Sequence, residues 1–115
     1  LMINPAKYDI VAYQGATYNL TLTWTVDAAP VDLTNYTAAM QVRKDTSSSS
    51  TILDLSSDSG ITLGAAAGTI SINVSAATMS AAPSGHYLYD LELDSGSEVT
   101  RLVYGAFRID AEVTR

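Results

Sequence analysis

The sequence predicts an antiparallel β-sandwich of about seven or eight short strands. Apolar residues recur at period two in one segment after another, as in strands with one buried face. Turn-forming residues interrupt these segments roughly every 8–12 positions, and only one stretch carries helical punctuation.

The clearest strand runs from Thr17 to Val26. Tyr18, Leu20, Leu22, Trp24 and Val26 form a core-facing row, and Thr17, Asn19, Thr21, Thr23 and Thr25 form a solvent row. Threonine suits an outer row because its branched β-carbon fits the pleat. A turn is expected at Asp27-Ala28-Ala29-Pro30, where proline fixes φ and removes a donor. Asp32-Leu33-Thr34 reads as a corner whose Asp and Thr side chains bond backbone amides. From Thr37 to Lys44, Ala38, Met40 and Val42 face one way and Ala39, Gln41 and Arg43 the other.

The serine-rich stretch from Thr46 to Thr51 reads as a hairpin tip or loop. Two short strands follow, Ile52 to Leu55 and Ile61 to Leu63, around the turn Ser56-Ser57-Asp58-Ser59-Gly60. Gly64-Ala65-Ala66-Ala67-Gly68 is a further turn before the strand Thr69 to Val74. Ser75 is placed to cap one helical turn over Ala76-Ala77-Thr78-Met79, ended before Pro83. His86 to Asp94 puts Tyr87, Tyr89, Leu91 and Leu93 on one face, and Ser95-Gly96-Ser97 turns into a last strand from Val99 to Ile109. The tail from Ala111 to Arg115 is expected to close an edge, and Leu1 to Tyr8 to form an N-terminal arm that orders on a partner.

The 115 residues suit one domain, spanning 1–115, with one ordinary core. Hydrophobic residues make up 47% and charged residues 16%, too apolar and too weakly charged for a disordered chain. A net charge of −6 argues against nucleic acid and against an anionic membrane surface, both of which need clustered Lys and Arg. No apolar run approaches the roughly 20 residues of a membrane span. The first residues show neither the basic start nor the apolar stretch of a signal peptide, so a chain that is cytosolic at synthesis is expected.

Cysteine is absent, which removes disulfides, thiolate metal sites and cysteine nucleophiles. The single histidine, His86, leaves no multi-histidine metal site, and no Gly-x-Ser-x-Gly elbow accompanies it; an ordinary strand-end histidine is the expectation. The loop from Asp54 to Gly60 has calcium-loop chemistry without the Asp-x-Asp-x-Asp-Gly spacing or the terminal Glu. Asp90, Glu92 and Asp94 share one strand face and read as a solvent row, with Arg43, Arg101 and Arg108 as cross-strand partners. Most tyrosines fall on core-facing positions, and Trp24 reads as the core anchor. Tyr13, Tyr36 and Tyr104 are the candidates for a sugar-stacking face. Asn19, Asn35 and Asn73 begin Asn-x-Ser/Thr triplets, read as chance matches in a Thr-rich chain. Gly64 to Gly68 lacks the Lys-Ser/Thr of a phosphate loop. No catalytic, metal or cofactor residue is predicted, and no enzymatic activity.

Several segments, in order, resemble a known family. They are Tyr13-Gln14-Gly15-Ala16-Thr17-Tyr18-Asn19-Leu20 with Trp24; Pro30-Val31-Asp32-Leu33-Thr34-Asn35-Tyr36-Thr37-Ala38 leading to Gln41-Val42-Arg43; and Gly60-Ile61-Thr62-Leu63 before Gly68-Thr69-Ile70. Gly85-His86-Tyr87-Leu88-Tyr89-Asp90-Leu91-Glu92-Leu93 and Val99-Thr100-Arg101-Leu102-Val103-Tyr104-Gly105 follow, closing with Val113-Thr114-Arg115. Together they resemble small structural proteins of tailed bacteriophages, which are similar to the N-terminal module of baseplate upper proteins.

The resemblance implies an immunoglobulin-like β-sandwich without enzymatic activity or cofactor. It would be assembled in the bacterial host cytoplasm into the virion, in multiple copies or as a symmetric homo-oligomer, and would dock on other virion proteins. A tail, baseplate or fibre-attachment module is the first expectation, and a capsid decoration (cement) protein the alternative. A host-surface carbohydrate-binding module is a more distant one, and a hydrolase using His86 the most distant.

Overall fold

The computed structural model describes residues 2–3 and 6–114. In chain order the strands are β1 (Met2–Ile3), β2 (Ala6–Lys7), β3 (Ile10–Tyr13), β4 (Tyr18–Val26), β5 (Ala29–Pro30), β6 (Thr37–Arg43), β7 (Leu53–Ser56), β8 (Ile61–Leu63), β9 (Thr69–Val74), β10 (Gly85–Asp94) and β11 (Val99–Asp110). One helix, α1 (Ala76–Ala81), lies between β9 and β10.

Two sheets pack face to face. The smaller runs β1-β4-β9-β8, with β5 added to β4; the larger runs β2-β11-β10-β6-β7, with β3 also on β11. The first strand of the sandwich is divided between them, since β1 pairs parallel with β4 while β2 and β3 pair parallel with β11. This is the β-sandwich that the period-two pattern predicts, in the immunoglobulin-like layout that the resemblance implies. The eleven segments exceed the predicted strand number because that first strand is split in three and a two-residue hairpin arm, β5, is added.

Inward rows from both sheets make the core. Leu22, Ile70, Ile72 and Val74 from the smaller sheet meet Met40, Val42, Tyr89, Leu91, Leu93, Phe107 and Ile109 from the larger. Phe107 takes Tyr18 and Tyr89 edge-on, with ring centroids 6.1 and 5.9 Å away. Trp24 is buried and meets Tyr36 edge to face at 6.0 Å. Its indole N–H has no acceptor among the described residues, a cost of about 1–3 kcal/mol that ring burial has to offset.

The helix after β9 starts as expected, with the Ser75 hydroxyl accepting from Thr78 N–H at 3.2 Å. The corner that follows is closed by the Tyr87 hydroxyl, which donates to the Pro83 carbonyl at 2.7 Å. A tyrosine just inside a strand bonding back to the chain before it is the tyrosine corner of immunoglobulin-like folds. At Asp32, the carboxylate accepts from both the Thr34 N–H (3.0 Å) and the Thr34 hydroxyl (2.6 Å). The corner therefore forms, with the hydroxyl bonded to the carboxylate rather than to a backbone amide.

Several boundaries differ from the sequence reading. The turn expected over Asp27 to Pro30 is shorter: Asp27 and Ala28 both have positive φ (53° and 65°), a type I′ pair, and Pro30 pairs with Thr25. Proline is tolerated there because β5 is an edge. Val26, expected in the core, is 52% exposed because this hairpin runs beyond the sandwich, while Thr25 is buried in its place. Gly64 to Gly68 is a single 3-10 turn.

The tail forms no strand over residues 111–114, and Arg115 lies outside the described residues. Gln14 ties the tail down by accepting from Glu112 N–H and donating to the Ala82 carbonyl. Of the segment expected as an arm, Leu1, Asn4 and Pro5 lie outside the described residues, and the remaining backbone pairs with both sheets.

Tyr8 and Asp9 lie against β11. Tyr8 N–H donates to the Tyr104 carbonyl, the Tyr89 hydroxyl donates to the Tyr8 carbonyl, and Asp9 accepts from Ala106 N–H at 3.0 Å. This close approach requires a glycine at 105, where a Cβ would stand 2.6 Å from Asp9 Oδ1 and 2.8 Å from Tyr8 O. Gly105→Ala is therefore expected to lose about 1–3 kcal/mol of stability through forced backbone displacement, read as a lower urea midpoint. In the same assay Tyr87→Phe is expected to lose about 1 kcal/mol, the net worth of one hydrogen bond; an unchanged midpoint would show the corner to be dispensable.

Candidate functional site

The outer face of the larger sheet is the most distinctive surface. It holds an open concavity of about 690 Å³. Its floor is made of small residues, Ala39, Gly105 and Ala106. Lys7 and Asp9 form one wall, and Arg43, Asp45 and Thr46 the other. The register sets the side chains in rows across the strands. One row is Arg43, Leu88 and Ala106; the next is Asp54, Gln41, Asp90, Tyr104 and Lys7; the third is Ala39, Glu92 and Arg101. Leu88 and Tyr104 are 43% and 38% exposed, the large apolar side chains at the centre of this face.

A β-bulge places Arg101 here. On β11, Val103, Gly105, Phe107 and Ile109 point inward, and strict alternation would send Arg101 inward with them. The register shifts at Leu91/Glu92, so that Leu91 stands opposite Val103 and Glu92 opposite Arg101. Leu102 is the extra residue, and both it and Val103 are buried. The shift turns Arg101 outward, where its guanidinium lies 4.2 Å from the Tyr104 ring centroid.

The cross-strand pairing expected for Asp90, Glu92 and Asp94 forms only in part. Glu92 and Arg101 are register partners, but the one ion pair among the described residues joins Arg108 to Asp110 on the same strand, at 2.9 Å. Arg43 stands opposite Leu88 and turns to the following loop, donating to the Ser48 carbonyl at 2.9 Å and to Gln41 Oε1 at 2.7 Å. That loop holds the serine-rich stretch, and Asp45 fixes its start by accepting from Ser47 N–H and hydroxyl. The Asp45 and Asp32 carboxyls are both held below their usual range, in each case first by a hydroxyl hydrogen bond and then by a backbone one. The central carboxylates of β10 are thus left without a cation in contact among the described residues.

The remaining candidates are spread over the fold. His86 is exposed on β10 opposite Arg108. Asp54 accepts from Gln41 Nε2 at 3.3 Å, and among the described residues no three His, Asp or Glu side chains converge into a metal-sized cluster. Asn19, Asn35 and Asn73 are all exposed. Tyr13 pairs with Asp110 at the end of β11 and Tyr104 lies at the middle of that strand, while Tyr36 is half-buried against Trp24, so the three do not share a platform. Among the described residues no helix is long and apolar enough to cross a membrane.

No family model matches this chain, and no curated protein does. Among solved structures, it is similar to a protein of Bacteroides fragilis described as a candidate alpha-galactosidase, at 16% identity and a TM-score of 0.36. The alignment covers 89% of this chain and 16% of that one, so the chain spans about a sixth of that protein's length.

Beneath the face, burial raises the phenol of Tyr18 from 10.0 to about 12, with Tyr8 adding to the effect, and burial raises Tyr89 as well. A phenol whose folded pKa lies above its unfolded value stabilises the fold fully below the unfolded value, and that stability is lost as pH rises through the folded one. Thermal stability is therefore expected to fall between about pH 10 and 12, and Tyr18→Phe to flatten part of that fall. Melting curves by circular dichroism on both proteins check this, and an identical pH dependence would contradict it.

Proposed function

We propose that this chain is a non-enzymatic docking module, a structural component of a tailed-phage virion that fastens onto other virion proteins. A tail, baseplate or fibre-attachment position is favoured over capsid decoration. The observation that carries the docking reading is the outer face of the larger sheet. Leu88, Tyr104 and Arg101 stand exposed at its centre, with charged side chains around them. Tyrosine and arginine are the residue types that dominate binding energy at protein interfaces, and a polar rim around an apolar centre is the usual interface layout.

The virion assignment is supported by the ordered set of segments described above. Several of its members have structural work in this fold: Trp24 and Tyr89 in the core, Asp32 and Thr34 at a corner, and Gly105 at a close strand approach. A protein present in many copies gains firm attachment from weak single contacts through effective concentration.

Quantitative mass spectrometry of purified virions, measured against the major capsid protein, tests this reading. A small, symmetry-matched copy number is expected. A number comparable with the capsid protein would place the chain on the head as decoration, and absence from purified particles would overturn the virion assignment altogether.

A further inference from the structure

We propose that the outer face of the larger sheet binds a second copy of this chain about a two-fold axis. The axis lies in the interface, parallel to the strands, between β10 and β11. Under that operation the two faces are complementary in charge. Rotation about such an axis sets each outward residue of β11 over its row partner on β10 of the other copy, and the reverse.

The register then brings Arg101 over Glu92, Tyr104 over Asp90, and Ala106 over Leu88, each twice. One strand further out, Lys7 of one copy faces Gln41 of the other. Asp9, held in the Ala106 row by its bond to that amide, faces Arg43. Of these outer contacts, Asp9 with Arg43 joins opposite charges, and Lys7 meets a neutral amide. An axis along β10 itself would instead stack Asp90 and Glu92 on their own copies, which repel.

Two features of the free chain fit this occupant. Asp90 and Glu92 have no cation in contact among the described residues, and the Arg101 guanidinium has only the Tyr104 ring. Facing sheets stand about 10 Å apart, which an arginine and a glutamate reaching toward each other span. Four strands at ~4.8 Å spacing over nine residues at ~3.4 Å rise give a footprint of roughly 600 Å² in projection. With side-chain relief this approaches the ~800 Å² per partner of a standard interface. A crossing of about 30° between facing sheets tilts this axis ~15° off the strand direction, and the β10–β11 pairs that flank it, Arg101 with Glu92 among them, stay closest to register.

The test uses charge reversal on the full chain. Wild type is expected to dimerise in sedimentation velocity between about 1 μM and 1 mM. Arg101→Glu sets two acids against each other in its homodimer, and Glu92→Arg sets two cations. Each variant alone is expected to stay monomeric, with dissociation constants raised at least ~10-fold. An equimolar mixture is expected to regain dimers, because each contact then joins unlike charges. Within one chain Arg101 and Glu92 are neighbours, but a purely intrachain contact cannot produce rescue by mixing. Circular dichroism confirms that both variants fold.

A wild type that stays monomeric across this range overturns the proposal and leaves the face to a different protein. Variants that dimerise like wild type, or a mixture that stays monomeric, overturn it too. The inference stands apart from the virion reading, since it concerns the purified chain and copy number on particles is measured separately.

Discussion

The register of β10 is the constraint on which the rest of this structure depends. This strand lies inside the larger sheet, with ten register pairs to β11 and seven to β6. Its inward side chains, Tyr87, Tyr89, Leu91 and Leu93, form the middle of the core. A slip of one position would expose all four and turn His86, Leu88, Asp90, Glu92 and Asp94 inward. Burying even one unpaired carboxylate costs several kcal/mol, so the alternative register is closed. Core and outer face are therefore two readings of one alternation. The carboxylate row lies where it does because the leucines and tyrosines between its members must be buried.

Side-chain hydroxyls carry this order to the rest of the chain. Tyr87 fixes the corner leading into β10 through the Pro83 carbonyl, and Tyr89 reaches across to the Tyr8 carbonyl. The second bond holds the N-terminal segment against β11, where Gly105 leaves room for it. With β2 and β3 along one side of β11 and β10 along the other, the longest strand has both edges covered over much of its length. An uncovered edge of that length would template pairing with other chains. The strands at the outer edges of the two sheets, β1, β2, β3, β5, β7 and β8, are each two to four residues long.

Much of this fold was legible because its strands alternate cleanly. The inward rows of β6, β9 and β10 follow directly from period two, and the helix start follows from Ser75. What was not legible required knowledge of contacts between distant segments. The hairpin at Asp27-Ala28 uses two positive-φ residues where the sequence offers neither Asn nor Gly, so proline drew the turn toward itself. Val26 continues the pattern of β4 past the point where the opposite sheet ends. The pairing of residues 2–3 and 6–7 with two different sheets carries no local signal in segments so short. The tyrosine corner did leave one: a tyrosine two residues past a glycine that follows Pro83-Ser84. On the candidate face the outward row of Asp90, Glu92 and Asp94 was legible as a solvent row but not as a site, and of its expected partners only Arg101 stands opposite one of its acids. Arg43 is drawn to loop carbonyls and Arg108 to Asp110, both closer in sequence than the acids across the strands.

The bulge at Leu102 ties the core to the surface chemistry. Leu102 and Val103 are consecutive apolar residues, and a regular strand could bury only one of them. Inserting an extra residue lets both point inward and reverses the phase of what precedes them. Arg101, which regular alternation would have buried without a partner, comes out on the face instead. The loss of one ladder position is offset by one further buried aliphatic side chain, worth about 1.5–3 kcal/mol, and by the avoided burial of a guanidinium. Its new position is beside Tyr104 and across from Glu92, yet the ring takes the guanidinium and leaves the carboxylate row unneutralised. Like charges ~7 Å apart on an exposed strand repel by only about 0.6 kcal/mol in water, and salt reduces this further. The fold can carry that row at little cost, and any surface that brings cations to it gains what the chain itself leaves unused.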